Sequence, residues 1–222
     1  MWWSKVGVVA GCACGVLLWG CSTRPDFVAR EEPWRTSDEQ ACVTAGRVRE
    51  SPFIHARSAL GGPSVCGAAH PYEMTASSDG RVTLKPAAML RCQMVPAVDH
   101  WIATEIDPAA RREFGSGLAE IKIAGSYGCR PVNGQSGNQL SEHGFANALD
   151  VSKFVLTDGR VDAVKEGWRG SPQERAFLRS VHDGACQGFT TVLGPEANAF
   201  HHDHFHVDLA RHGRDGAGRI CK

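Results

Sequence analysis

The sequence has no net charge and no basic stripe: 24 Lys and Arg are matched by 24 Asp and Glu. A protein that neutralises phosphates needs a surplus of cations on one face, so nucleic acid is not an expected partner. No internal repeat is present, which excludes a repeat array. No C-x-x-C pair occurs among the cysteines beyond residue 21, which argues against a zinc knuckle. The uncharged run from Val6 to Gly20 is too short and too rich in small residues for a good membrane span.

That run has instead the layout of an export signal. "MWWSKVGVVAGCACGVLLWGC" carries one positive charge, Lys5, before it. Residues 1–20 are the expected signal peptide. The run ends in Leu18-Trp19-Gly20-Cys21, which resembles a bacterial lipobox, where the cysteine is lipidated and becomes the new N-terminus. Cys21 is thus the expected lipidation site. Residues 21–40, polar, charged and proline-punctuated, read as the lipidated N-terminus and a flexible tether. Two acyl chains and an acylated amine hold a protein on a membrane far more firmly than one chain. The expected location is the bacterial cell envelope, as a periplasmic lipoprotein on the outer membrane. Residues 41–222 have the size of one domain.

Six of the nine cysteines fall in that domain: Cys42, Cys66, Cys92, Cys129, Cys186 and Cys221. An even number in an exported domain points to up to three disulfides, whose pairing the sequence leaves open.

Periodicity predicts an α+β domain: an antiparallel sheet of about four strands flanked by helices. Residues 84–106 have helical apolar spacing, with Pro96 expected to kink or split the helix. Residues 119–128 alternate and reach glycines, as a strand does. Residues 130–140 are loop by composition. Residues 147–164 read as a hairpin turning at Asp158-Gly159, a favoured type I′ pair. Residues 171–186 form a marked helix: Ser171 is the N-cap, Pro172 suits the first turn, Glu174 completes a capping box and Gly184 can end it. His182 sits in its last turn as a structural residue. Residues 188–193 and 203–210 supply two more strands.

The chemistry concentrates in "HHDHFHVDLA", 201–210. On a strand, His204, His206 and Asp208 share one face, while Phe205, Val207 and Leu209 share the other. A solvated polar tail would not be interleaved with large apolar residues so regularly. Two histidines do not complete a metal site, since a catalytic zinc commonly takes three protein ligands plus water. "SEHGFANALD", 141–150, offers the rest. Asp150 lies where a buried strand residue belongs, and a lone buried Asp is costly unless paired or bound to metal. A salt bridge or a backbone donor is the bland alternative for it.

His143 and Asp150 at this spacing, followed by the His204/His206 pair, resemble the ligands of the LAS zinc peptidases, a group named after lysostaphin, the D-Ala-D-Ala carboxypeptidases and sonic hedgehog. "SEHGFANALDV" is similar to the carboxypeptidase metal block, and "HHDHFHVDL" to that of the penicillin-insensitive murein endopeptidases. Over nearly all of 42–222, cysteine layout included, the chain also resembles the bacterial extensin-like C-terminal domain family of the same superfamily. The resemblance implies a hedgehog/D-Ala-D-Ala peptidase-like fold and one Zn2+ per chain on His143, Asp150 and His206. It implies catalytic roles for His204, near the scissile bond, for His201 as a helper, and for Arg130 on a substrate carboxylate or the developing oxyanion. The implied activity is hydrolysis of peptidoglycan peptide bonds, with peptidoglycan peptides as partners alongside the membrane that takes the lipid anchor.

The carboxypeptidase branch places a glutamate close before its last histidine. Here Glu196 and Asp203 precede it without that spacing, so His204 is the candidate base. Ser141, His143 and Asp150 also contain triad residue types, but triad partners normally come from separate elements. Ser141 reads better as a turn or cap residue. Cys129 beside Arg130 reads as a disulfide cysteine before a nucleophile. Two further readings stay open: a metal-stabilised envelope module that binds peptidoglycan or a protein without turnover, and metal sequestration by residues 201–206.

Overall fold

The structure is a computed structural model that describes residues 1–2, 25–30 and 32–222. Residues 3–20 of the expected signal peptide, and Cys21, lie outside the described residues. Among the described residues no helix is long and apolar enough to cross a membrane.

In chain order the strands are β1 (Ile54–Ala56), β2 (Leu60–Gly61), β3 (Gly67–Ala68), β4 (Pro71–Ala76), β5 (Thr83–Arg91), β6 (Leu118–Gly125), β7 (Ala148–Leu156), β8 (Val161–Ala163), β9 (Thr191–Leu193), β10 (Phe205–Asp208) and β11 (Ile220–Cys221). Nine of them make one sheet in the order β1-β4-β5-β6-β7-β10-β9-β11, with β8 paired to β7; β2 and β3 pair by themselves. The α+β class holds. The sheet is larger than the four strands expected and it is mixed, because β5 runs parallel to β6 and β11 parallel to β9. The missed strands are mostly two or three residues long, too short to show a period of two.

The expected helix over 84–106 is a correction of a different kind. Its first part is β5, and α2 (Met94–Trp101) starts only afterwards. Pro96 does not kink α2, because it falls in the first turn, where backbone N–H groups have no partner to lose. A π turn, Ile102–Ile106, joins α2 to α3 (Asp107–Phe114). Pro108 lacks the N–H that would reach the carbonyl of Thr104, inside that turn.

A short helix, α4 (Val164–Gly167), precedes α5 (Pro172–Gly188), where the expected capping box is present. Ser171 Oγ accepts from Glu174 N at 3.3 Å, and Glu174 Oε2 accepts from Ser171 N at 2.6 Å. Gly184 does not end α5. A Cβ there would lie 2.6 Å from Glu105, so the glycine permits a close helix crossing instead. Phe177, Leu178, Val181 and Ala185 of α5 are buried against the sheet and α2–α3, with Phe177 edge-on to Phe154 of β7 at 5.2 Å. His182 is buried between Trp168 and Phe205, within α5 and not in its last turn as expected, because the helix runs past Gly184 to Gly188.

The hairpin β7–β8 forms, but through four residues, Thr157 to Arg160. A type I′ turn needs positive φ at both central residues; here only Gly159 has it, at 88°. Asp158 instead accepts the Arg160 backbone N–H.

The polar stretch before residue 41 is not all tether. Trp34–Thr44 form the helix α1, and Phe27 is buried in a small cluster with Cys66, Leu140 and Phe145. All six domain cysteines pair: Cys42 with Cys92, Cys66 with Cys129, and Cys186 with Cys221. Loops of these lengths constrain the unfolded chain by about 4 kcal/mol each in the loop-entropy account.

Candidate metal centre

Three segments meet at one end of the sheet. The first is the 3-10 turn Glu142–Phe145, capped by Ser141, whose hydroxyl accepts from His143 N. The cap role read from the sequence therefore holds. The turn directs a buried His143 inward. The second is β7, which carries Asp150. The third is β10, antiparallel to β7, with His206 directly opposite Asp150.

On its other side Asp150 is registered with Gly125 of β6. A Cβ at Gly125 would sit 2.9 Å from Asp150 Oδ2 and 3.6 Å from His143 Cε1. The bare backbone there is what lets carboxylate and imidazole come together. The strand is shorter than the expected 203–210, so His204 and Leu209 fall outside it, but the alternation holds within β10: Phe205 and Val207 enter the main core while His206 and Asp208 face the cluster.

The three side chains close on one another. His143 Nε2 lies 3.0 Å from Asp150 Oδ2, and His206 Nδ1 lies 2.9 Å from Asp150 Oδ1. The two ring nitrogens are 3.2 Å apart. All three residues are buried. The far nitrogens are already committed. His143 Nδ1 donates to the Ser126 carbonyl, and His206 Nε2 donates to Asp208 Oδ2 at 2.9 Å. A carbonyl and a carboxylate can only accept, so both far nitrogens carry hydrogen. When the rings are neutral, the near nitrogens then turn lone pairs toward Asp150.

Three acceptors at this spacing repel unless a cation sits among them. Asp and His supply the oxygen and nitrogen donors that zinc takes, and the second partner behind each histidine is the usual device that fixes the ring of a ligating imidazole. The residues present therefore fit a zinc ion.

The charges agree. Burial works to raise the carboxyl of Asp150, but its bonds to His143 and His206 outweigh this and hold it well below the usual carboxylate range. Burial works to lower His206, and the bonds to Asp150 and Asp208 reverse this and push it up to about 9. The same two carboxylates favour any cation at its Nδ1.

The remaining candidates line a cavity of about 490 Å³ that opens on this cluster. His204 stands just before β10. Its Nδ1 donates to Asp203 Oδ1 at 2.9 Å, and its Nε2 is 3.6 Å from Asp150 Oδ1. His201, in the 3-10 turn Ala199–His201, donates from Nδ1 to Asn198 Oδ1 at 2.8 Å. Its ring is 5.2 Å from that of His204 and 5.7 Å from that of His206. Burial, and then His206 and His204, lower His201 to about 4. Arg130 is half exposed, with Nη2 3.6 Å from Asp150 Oδ2. His202 is exposed and bonded to the Ala199 carbonyl, away from the cluster.

A family profile for the extensin-like protein C-terminus matches residues 40–222. The chain belongs to this family. No curated protein and no solved structure matches the chain significantly. Membership in the extensin-like family fixes neither an activity nor a metal.

Other groups weighed in the sequence are placed elsewhere in this extensin-like domain. Glu196 pairs with Arg179. Cys129 is spent on its disulfide. His182, Cys186 and Cys221 also stand close together, but the two sulfurs are bonded to each other. The residues that sequence reasoning left without a role are the orienting partners. Asp208 carried a signal, two positions after His206 on the same face. The Ser126 carbonyl and Asn198 carried none.

Proposed function

We propose that the domain is a zinc-dependent peptidase of the cell envelope that hydrolyses peptide bonds of peptidoglycan, as endopeptidase or carboxypeptidase of the LAS kind. The observation that carries this reading is the convergence of His143 Nε2, Asp150 and His206 Nδ1 with both far nitrogens held by acceptors. The hedgehog-like fold, the lipid at Cys21 and the outer-membrane location belong to the same proposal.

A zinc ion held by His143, Asp150 and His206 would supply a water of pKa about 7 and a Lewis acid for the scissile carbonyl. The chain's own groups do the rest. Asp203 fixes the hydrogen of His204 on Nδ1, so Nε2 presents its lone pair to the cluster. Nε2 takes a proton from the attacking water and returns it to the leaving amine. His201, held low, stays neutral at pH 7 and orients the substrate from Nε2 without adding charge. Arg130 stands where its fork of donors meets a carboxylate or the developing oxyanion.

One observation favours a second reading, a zinc-stabilised module that binds peptidoglycan or a protein partner without cleaving it. Both carboxylates of the cavity wall beyond Asp150 are engaged, Glu142 with Arg35 and Asn147, and Asp208 with His206 and the Ala210 backbone. Neither is free to act as base.

The deciding experiment is mass spectrometry of muropeptides released from sacculi by the zinc-loaded protein, with His206→Ala as control. Wild type is expected to hold one zinc per chain and release peptides, and the variant to do neither. A zinc-loaded wild type that binds sacculi and leaves every peptide intact selects the module.

A further inference from the structure

The family profile begins at residue 40, yet residues 26–30 and 32–38 pack against the segments that carry the candidate metal ligands. Three contacts with different chemistry make this packing. Backbone pairing comes first. Val28 N donates to the Asn138 carbonyl at 2.9 Å, Leu140 N to the Val28 carbonyl at 3.0 Å, and Gly137 N to the Asp26 carbonyl at 2.6 Å. The paired segment leads directly into the turn that carries His143. Apolar packing is second: Phe27 is buried with Leu140, just before that turn, and Phe145, its last residue.

The third contact is a buried ion pair. Arg35 donates from Nη1 and Nη2 to the two carboxylate oxygens of Glu142 at 2.8 and 2.5 Å, and from Nε to Glu32 Oε2 at 2.6 Å. Its guanidinium lies 3.9 Å from the centre of the Phe145 ring. Glu142 also receives Asn147 Nδ2 at 2.6 Å. Glu142 and Asn147 immediately precede His143 and β7, so this one carboxylate ties the His143 turn to the strand bearing Asp150. α1 reaches the third segment as well. Asp38 accepts from Arg211 at 2.7 Å, and the neighbouring Ala210 N donates to Asp208, the partner of His206.

We infer that residues 26–30 and 32–38 form a strap that positions the metal ligands, and that Arg35 is its principal positioning residue, acting through Glu142 on His143. The inference rests on the zinc reading above. Bidentate, stacked Arg35 fixes both position and rotation of the turn, which Lys cannot do with a single ammonium. Outer partners of metal ligands typically govern affinity by about 10–100-fold.

The test is zinc affinity of the full-length chain, measured by competition with a chromophoric chelator, alongside the melting temperature of the metal-free protein. Arg35→Lys keeps a charge beside Glu142, so metal-free melting is expected to move by only a few degrees while zinc affinity falls about 10-fold. Arg35→Met, which strands Glu142, is expected to lose about 100-fold, with Lys as partial rescue. Phe27→Ala is expected to change affinity in the same direction by less. Arg35→Lys and Phe27→Ala proteins that bind zinc as tightly as wild type overturn the strap, even if they melt lower. A wild-type chain that takes up no zinc overturns both the strap and the zinc reading.

Discussion

Asp150 and Asp162 lie on the paired strands β7 and β8, and both are buried, at 5% and 3% exposure. Their charge states are opposed. Burial pushes both carboxyls up. At Asp150 two histidines overcome it and keep the group an anion. At Asp162 neither oxygen has a hydrogen-bond partner among the described residues, and the carboxyl is pushed up to about 7 by burial and then by Glu174. Gly167 is packed so close that a Cβ would sit 2.1 Å from Asp162 Oδ1. The lesson is that burial sets the cost of a charge and neighbours decide whether the charge is kept. One aspartate is held ready for a cation. The other has no such neighbours and is pushed up to about 7.

The harshest way to break the contrast is Asp150→Asn. The amide fills the same space but brings no charge to the two imidazoles. Zinc affinity is expected to fall by more than the 10–100-fold typical of an outer partner, as read by chelator competition. Wild-type affinity in this variant would put the carboxylate outside the metal site.

The converse substitution, Asp162→Asn, acts on stability and not on zinc. A carboxyl whose folded value lies above its unfolded value contributes stability below the unfolded value and loses it as pH rises through the folded one. Wild-type stability is therefore expected to decline between pH 4 and about 7, by up to about 4 kcal/mol from this group. Asp162→Asn removes that component and is more stable than wild type at pH 8. Urea midpoints of both proteins at pH 5 and pH 8 test this. An equal pH dependence in the two would show that Asp162 is ionised in the folded protein.

The contrast also marks how far sequence reasoning reached. The meeting of His143, Asp150 and His206 was legible because motif spacing and strand alternation are local properties that survive folding, whereas His204 falls just before β10 and outside its alternation. α5 was legible from its capping box, and the even cysteine count anticipated that all six would pair. Pairing itself depends on which distant segments meet. So does Arg35–Glu142, whose partners lie far apart in the chain and resemble ordinary surface charges in isolation. The short edge strands left no pattern. Residues 84–91 show apolar spacing that suits a helix, and tertiary pairing with β4 and β6 made them a strand instead. Asp162 sat in a readable hairpin with nothing local to show that its carboxyl would be sealed off.

The finest test sharpens the contrast from the side of His206. Asp208→Asn keeps an oxygen that can accept from His206 Nε2 and removes only the charge behind it. The ring should hold its place, so zinc is still expected to bind, about 10-fold more weakly. In the metal-free protein the effect has a definite sign. His206 is held at about 9, above its ordinary value of 6.5, so it contributes stability that is full below 6.5 and is lost as pH rises through 9. With one of its two carboxylates neutralised, that upper limit should move down toward the ordinary histidine value. An NMR titration of the His206 ring in the metal-free wild type and variant reads the shift directly. An unchanged midpoint would mean that Asp150 alone sets the charge of His206, and that Asp208 serves only to orient the ring.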